Sequence, residues 1–238
     1  MAIAKGGKTI SGARVGLLVL ESQFPRILGD GGNATTWPFP VLYKMVPGAT
    51  PDAVVRGHAQ GLVERFVDAA KELVALGADG ITTNCGFMAL HQQRLADACQ
   101  VPVATSSLLQ VSSVQSLLPQ GKRVGILTVS KASLTDEVLT SIGIALDTPI
   151  QGTDGGKEFS RVLLDDELEL NVDLAREDVV SAAKSLTAAN PDVGAIVLEC
   201  TNMPPYASAV AEATGLPVYD FYSLVSWFHA GLRPQQFQ

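Results

Sequence analysis

The feature that most constrains this chain is that it repeats itself. Setting DGITTNCGFM, residues 79 to 88, over GAIVLECTNM, residues 194 to 203, places Cys85 on Cys200 and Met88 on Met203. The same offset carries Asp97 and Ala98 onto Glu212 and Ala213, and Pro102 and Val103 onto Pro217 and Val218. A second pair, VGLLVL from Val15 and VGILTV from Val124, matches at a nearby offset, one short insertion away. A duplicated strand, helix, strand unit implies two halves related by an approximate twofold, each presenting the same loop to a shared cleft.

Short apolar runs rich in branched residues alternate with longer stretches of helical period, the pattern of a parallel sheet covered by helices. The sequence predicts strands near 14 to 20, 79 to 83, 102 to 104, 123 to 128, 194 to 199 and 217 to 219. Helices are predicted near 51 to 76, 87 to 98, 106 to 117, 132 to 141, 174 to 189, 204 to 213 and 220 to 231. The fold class is α/β: two pseudosymmetric lobes, each a mainly parallel sheet flanked by helices, with the active site in the cleft between them. One lobe takes residues 1–101 and 214–238, with Cys85; the other takes 102–213, with Cys200. Residues 21–50, with several glycines and prolines and no clear period, read as a long functional loop or lid. The run LLDDELELNVD reads as an acidic, solvated helix or strand.

A formal net charge of -7 without a Lys/Arg cluster argues against nucleic acid and anionic membrane as partners and leaves a small molecule. Lys5, Lys8 and Arg14 before VGLLVL imitate a leader, but Glu21 stops the apolar run after six residues. Three cysteines, an odd number, point to reduced thiols and a cytoplasmic setting. Charged residues are only 17% of the chain, which leaves room for a buried homodimer interface.

Cys85 and Cys200 each close a predicted strand and open a predicted helix, the side on which open α/β sheets bind ligands. Backbone N–H groups there favour an anion, lowering a thiol pKa toward neutrality and welcoming a carboxylate. Two such thiols across one cleft address opposite faces of one carbon, one as base and one as acid, which is racemisation or epimerisation. The competing reading, buried core cysteine, is the ordinary fate of a lone Cys and is kept for Cys99. A disulfide between Cys85 and Cys200 is a minor alternative. Zinc lacks further ligands nearby, so no metal is expected.

Through TTNCGFM and LECTNMPPY, supported by VGLLVLES and VGILTVS, the sequence resembles the cofactor-independent aspartate/glutamate racemase superfamily. That superfamily includes glutamate, aspartate and hydantoin racemases and, more distantly, arylmalonate decarboxylases and maleate isomerases. The resemblance covers nearly the whole chain. It implies Cys85 and Cys200 as the acid and base, no cofactor, and a substrate carboxylate held among backbone N–H groups and small side chains. By position it makes Thr83, Asn84, Thr128, Thr201 and Asn202 substrate donors. Glu21 and Ser22 stand where glutamate racemases have Asp-Ser, the acid assisting the nearer cysteine. After Cys200 those enzymes commonly place Thr-His; here Asn202 replaces the histidine and cannot titrate near neutrality.

The loop FPRILGDGGNATTWPFPVLYK offers Arg26 and Asn33 to the substrate, and Arg26 and Lys44 to a second carboxylate. Ordinary surface charge remains an equal reading for Arg26 and Lys44. Gly29 to Gly32 does not follow the dinucleotide fingerprint, and His58, His91 and His229 read as packing or solvent residues. The function expected from sequence is a cofactor-independent amino-acid racemase or epimerase. The alternatives are a decarboxylase or cis/trans isomerase of a small dicarboxylic acid, or a metabolite-binding or redox-sensing protein.

Overall fold

Branched apolar hexapeptides buried on both faces are stable only inside a parallel sheet with helices on each side, and the chain builds two such sheets. The computed structural model describes residue 3 and residues 6–234; Lys5 lies outside them. The first sheet contains Val15–Leu20 (β1), Val41–Val46 (β2), Gly80–Thr83 (β3) and Val103–Ala104 (β4), in the order β2-β1-β3-β4. The second contains Arg123–Thr128 (β5), Ile150–Gly152 (β6), Val193–Leu198 (β7) and Val218–Tyr219 (β8), in the order β6-β5-β7-β8. All neighbours pair parallel. The two orders are the same, so the sequence repeat is a repeat of topology.

Two edge strands escape the sequence pattern. The β2 strand, VLYKMV, lies within the stretch read as one long loop, which leaves residues 21–40 irregular; half-buried along most of its length, it carries no strict alternation. The β6 strand is three residues long. The expected lobe boundary also moves. Residues 103–104 belong to the first sheet and 218–219 to the second, because each sheet takes the strand that follows its own cysteine loop. The helices after those strands then change sides. Val111–Leu117 (α4) packs on β5, and Phe221–Leu232 (α9) lays Phe221, Leu224, Val225 and Phe228 against Val15, Leu17, Trp37 and Ala104. A capping box of Asp220 and Ser223 starts α9.

The single helix expected over 51 to 76 is two, Pro51–Val55 (α1) and Val63–Leu76 (α2). His58 and Ala59, both in the left-handed region, turn the chain between them. Gln92–Cys99 (α3) places Cys99 in the core as expected. Asp136–Ser141 (α5), Phe159–Leu164 (α6), Val172–Ala189 (α7) and Ala207–Thr214 (α8) complete the layers. The acidic run LLDDELELNVD is neither one helix nor a strand: it ends α6, turns irregularly, and starts α7 on the Asn171 cap. Its Asp166, at φ 55, crosses to the other lobe and accepts from the backbone N–H groups of Gln23 and Phe24. Among the described residues no helix is long and apolar enough to cross a membrane.

Hydrogen bonds across the seam join the functional ends of the sheets. Ser107, just after β4, donates to the carbonyls of Leu198 and Glu199 at 2.5 and 3.0 Å, and Thr201 donates to the carbonyl of Asn84 at 2.5 Å. Ser107 is fully buried, so its hydroxyl is the partner those carbonyls find in place of water. Ser107→Ala should therefore lower stability by about 1–2 kcal/mol without changing the urea m-value. A loss below a few tenths in equilibrium unfolding contradicts this account of the seam.

Candidate active site

At the end of β3 the chain runs Asn84, Cys85 and into a tight 3-10 turn, Gly86–His91, before α3 begins. At the end of β7 it runs Glu199, Cys200, Thr201, Asn202 and into another short turn, Pro204–Tyr206, before α8. Cys85 thus opens a 3-10 turn, and Cys200 stands four residues before one, in place of the α-helices expected. Parallel strands of two matched sheets bring these ends together, and Cys85 and Cys200 line one cavity of about 30 Å³. Asn84, Thr201, Asn202 and Glu199 contribute its polar wall; Leu20, Phe24, Val55 and Leu164 are among its apolar residues. That volume is about one water's worth, so a larger ligand enters only when the wall moves. The Asp166 bonds to Gln23 and Phe24 fix the backbone at Phe24, one of the lining residues.

The two thiols, 6% and 7% exposed, are nearly dry. Burial pushes Cys85 up to about 12, with the Glu199 charge adding to the rise and the N–H groups of Phe87 and Met88 opposing it. Cys200 is also held well above the ordinary thiol value by burial and then by Glu199. The sequence expectation of thiols brought toward neutrality is thus reversed: desolvation outweighs the backbone donors. The surroundings of the pair differ. Cys200 donates its S–H to Asn202 Oδ1 at 3.4 Å, and the Asn202 amide donates to Asp30, which is ion-paired at 2.9 Å with Arg26. Cys85 instead faces backbone N–H donors, which suit an anion.

Not every residue expected at the site reaches it. Glu21 points outward and accepts from Gly48 N–H, so it cannot assist a cysteine. Ser22 accepts from Arg26 at 2.8 Å, and both line a neighbouring depression with Glu21. Asn33 donates to the Arg26 carbonyl and accepts from Thr35, shaping the loop. Lys44 pairs with Glu72 on the surface. Thr83 bonds the carbonyls of Cys85 and Thr105, and Thr128 bonds the Glu199 carboxylate at 2.8 Å, so each holds a neighbour. Two residues were missed. Asp30 is buried behind Asn202, hidden in the sequence by its glycine-rich loop. Glu199 is fully buried, and its one signal was an acid between an apolar strand and a cysteine.

Comparison with known proteins decides the family. The chain is 30% identical over 230 residues to a dimethylsulfoniopropionate lyase of Durusdinium sp. clade D, covering 93% of this chain and 76% of the relative. The chain belongs to the dimethylsulfoniopropionate lyase family. Dimethylsulfoniopropionate lyase 7 of Emiliania huxleyi is 31% identical over 231 residues, covering 92% of this chain and 67% of the relative. Membership makes the chain an enzyme. No protein-family model matches it. Among solved structures, arylmalonate decarboxylase superposes with a TM-score of 0.57 at 15% identity, covering 94% of each chain. Picrophilus torridus aspartate racemase gives 0.55 at 16% identity, over 94% of this chain and 96% of that one. The fold of this lyase-family chain is therefore that of the Asp/Glu racemase superfamily.

Burial raises the Glu199 carboxyl from 4.5 to about 7, against the lowering bonds of Thr128 and Val129. A folded-state pKa above the unfolded value stabilises below the unfolded pKa, and that stability is lost as pH rises from about 4.5 through 7. The loss is on the order of 3 kcal/mol. Glu199→Gln, which stays neutral, should gain on the wild type as pH rises from about 5 to 8 in urea unfolding. Parallel stability curves for the two proteins contradict the assignment.

Proposed function

We propose that this chain is a lyase that splits dimethylsulfoniopropionate into acrylate and dimethyl sulfide, with Cys85 as the base. The observation that carries this reading is two thiols sharing one small, largely apolar cavity in a chain whose curated relatives are named for that activity.

The chemistry asks for little beyond what the cavity holds. A proton α to a carboxylate is removed by the Cys85 thiolate, the freed electron pair forms the carbon–carbon double bond, and the β carbon–sulfur bond breaks. That bonding pair leaves on sulfur as neutral dimethyl sulfide, and the proton stays on Cys85 until solvent takes it. The departing sulfonium accepts the electrons itself. Charge that develops on the carboxylate needs a positioned donor, and the Asn84 amide nitrogen, buried without a partner, lines the same cavity. Cys200, tied through its S–H to Asn202, is the neutral member of the pair.

The walls suit this head group. An ammonium carries N–H donors that want acceptors, whereas a dimethylsulfonium presents only methyl groups to Leu20, Phe24, Pro51, Val55, Leu163 and Leu164. Its positive charge also reverses what burial does to the thiols: a cation a few ångströms away favours the thiolate.

A second reading is kept because the two thiols occupy equivalent positions in a duplicated fold: a racemase or epimerase of amino acids, as the fold neighbours' chemistry suggests. The two are separated by incubating the purified protein with dimethylsulfoniopropionate and, in parallel, with amino acids and hydantoins in D₂O. The lyase reading expects dimethyl sulfide in the headspace, a fall of at least about 10²-fold in Cys85→Ala and a clear loss in Cys200→Ala. No sulfide, with deuterium entering the α-position of an amino acid, establishes the racemase instead.

A further inference from the structure

One acid in the cavity has no part in the proton transfer. Glu199 is fully buried, and its Oε2 accepts from the Thr128 hydroxyl at 2.8 Å at the end of β5, where the Val129 N–H also favours the carboxylate. Among the described residues its other oxygen, Oε1, has no hydrogen-bond partner. Glu199 and both cysteines line the same cavity. Across from it Gly86 leaves the space the acid needs, since a Cβ there would lie 2.5 Å from the Glu199 carbonyl and 2.8 Å from its carboxyl carbon. The nearby cation Arg26 is already committed to Asp30 and Ser22. Oε1 therefore lies against Gly86 without a hydrogen-bond partner among the described residues, and both residues line a pocket whose other walls are mostly apolar. An isolated buried carboxylate is costly as an anion, and a cation brought in by a ligand removes that cost.

We propose that Glu199 is the counter-ion for the positive head of the substrate and sets this site's preference for onium carboxylates over carboxylates of the same shape with an uncharged head. The choice of dimethylsulfonium as that head rests on the lyase reading; the preference for positive charge does not. The position fits the reaction. The onium lies two carbons from the carboxylate, so a ligand whose α-carbon meets Cys85 and whose carboxylate meets Asn84 presents its charged end to another wall of the same small cavity. When ionised, Glu199 adds to the burial that holds both thiols up. Pairing it with an incoming cation withdraws that opposition when substrate is present, which couples ionisation of the base to occupancy. Because the positive charge disappears as the carbon–sulfur bond breaks, the pair acts on the bound ground state more than on the transition state.

The test uses a matched pair of ligands without a good leaving group: 3-(trimethylammonio)propanoate and 4,4-dimethylpentanoate, which differ by carbon in place of the charged nitrogen. Their dissociation constants are measured by calorimetry on the wild type, Glu199→Gln and Glu199→Asp, each first checked for a cooperative unfolding transition. The wild type should bind the cationic member at least about tenfold more tightly. Glu199→Gln should remove that preference while moving the ligand with the uncharged head by less than about threefold, and Glu199→Asp, which keeps the charge, should retain part of it. Should Glu199→Gln fail to fold, Thr128→Val, which frees the carboxylate from its anchor, should shrink the preference. On dimethylsulfoniopropionate, Glu199→Gln should raise KM more than it lowers kcat. A wild type indifferent to charge, or a preference that survives Glu199→Gln, overturns the proposal. A chain that releases no dimethyl sulfide but loses its charge preference in the variant keeps the counter-ion and loses the lyase reading. Sulfide release with the preference intact in the variant does the reverse.

Discussion

Three proton-bearing groups, the thiols of Cys85 and Cys200 and the carboxyl of Glu199, are packed into one nearly dry cavity, and the cost of charging any of them governs the site. In water each would ionise near its ordinary pKa. Here desolvation is the first cause of all three shifts and every one is upward. Burial thus favours the neutral forms of all three groups, and a positive charge brought among them is favoured. Arg26 does not supply it, because Asp30 takes its guanidinium and passes the restraint on through Asn202 to Cys200. A buried base in such a site becomes effective when the ligand itself changes the local field.

The fold supplies this arrangement by repeating one unit and then breaking its symmetry. Two sheets of the same strand order bring the ends of β3 and β7 to one seam, and the exchange of α4 and α9 between halves makes that seam part of the core. Equivalent positions then receive unequal neighbours. Cys85 meets the N–H groups of Phe87 and Met88, while Cys200 gives its hydrogen to the Asn202 side chain. Cys85 is followed by Gly86, whose missing side chain admits the acid that precedes Cys200. The duplicated scaffold thus holds two thiols that differ in hydrogen bonding, an asymmetry that the proposed elimination would use.

The architecture was legible because duplication leaves a long-range signal: the match of DGITTNCGFM to GAIVLECTNM foretold two lobes, the strand–loop positions of both cysteines and their convergence. What escaped notice depends on contacts far apart in sequence. Asp30 matters through Asn202, 172 residues away, and Asp166 through Gln23, 143 residues away, so neither stands out within its own segment. Glu21 drew attention by analogy, yet its strand turns it toward Gly48 and solvent. The acid that reaches the thiols is Glu199, which sits one residue before the cysteine already singled out. Short edge strands were lost for a different reason: β6 is too brief for any period to show, and β2 is only half covered.

The central claim is that both sulfurs face a single bound ligand. It is tested most directly by following iodoacetamide labelling of each cysteine by peptide mass spectrometry as the concentration of 3-(trimethylammonio)propanoate is raised. The account predicts that Cys85 and Cys200 are protected together, with the same half-saturating concentration, while Cys99 in the core of α3 labels at an unchanged rate. Protection of only one of the pair, of neither, or of the two at different concentrations contradicts it.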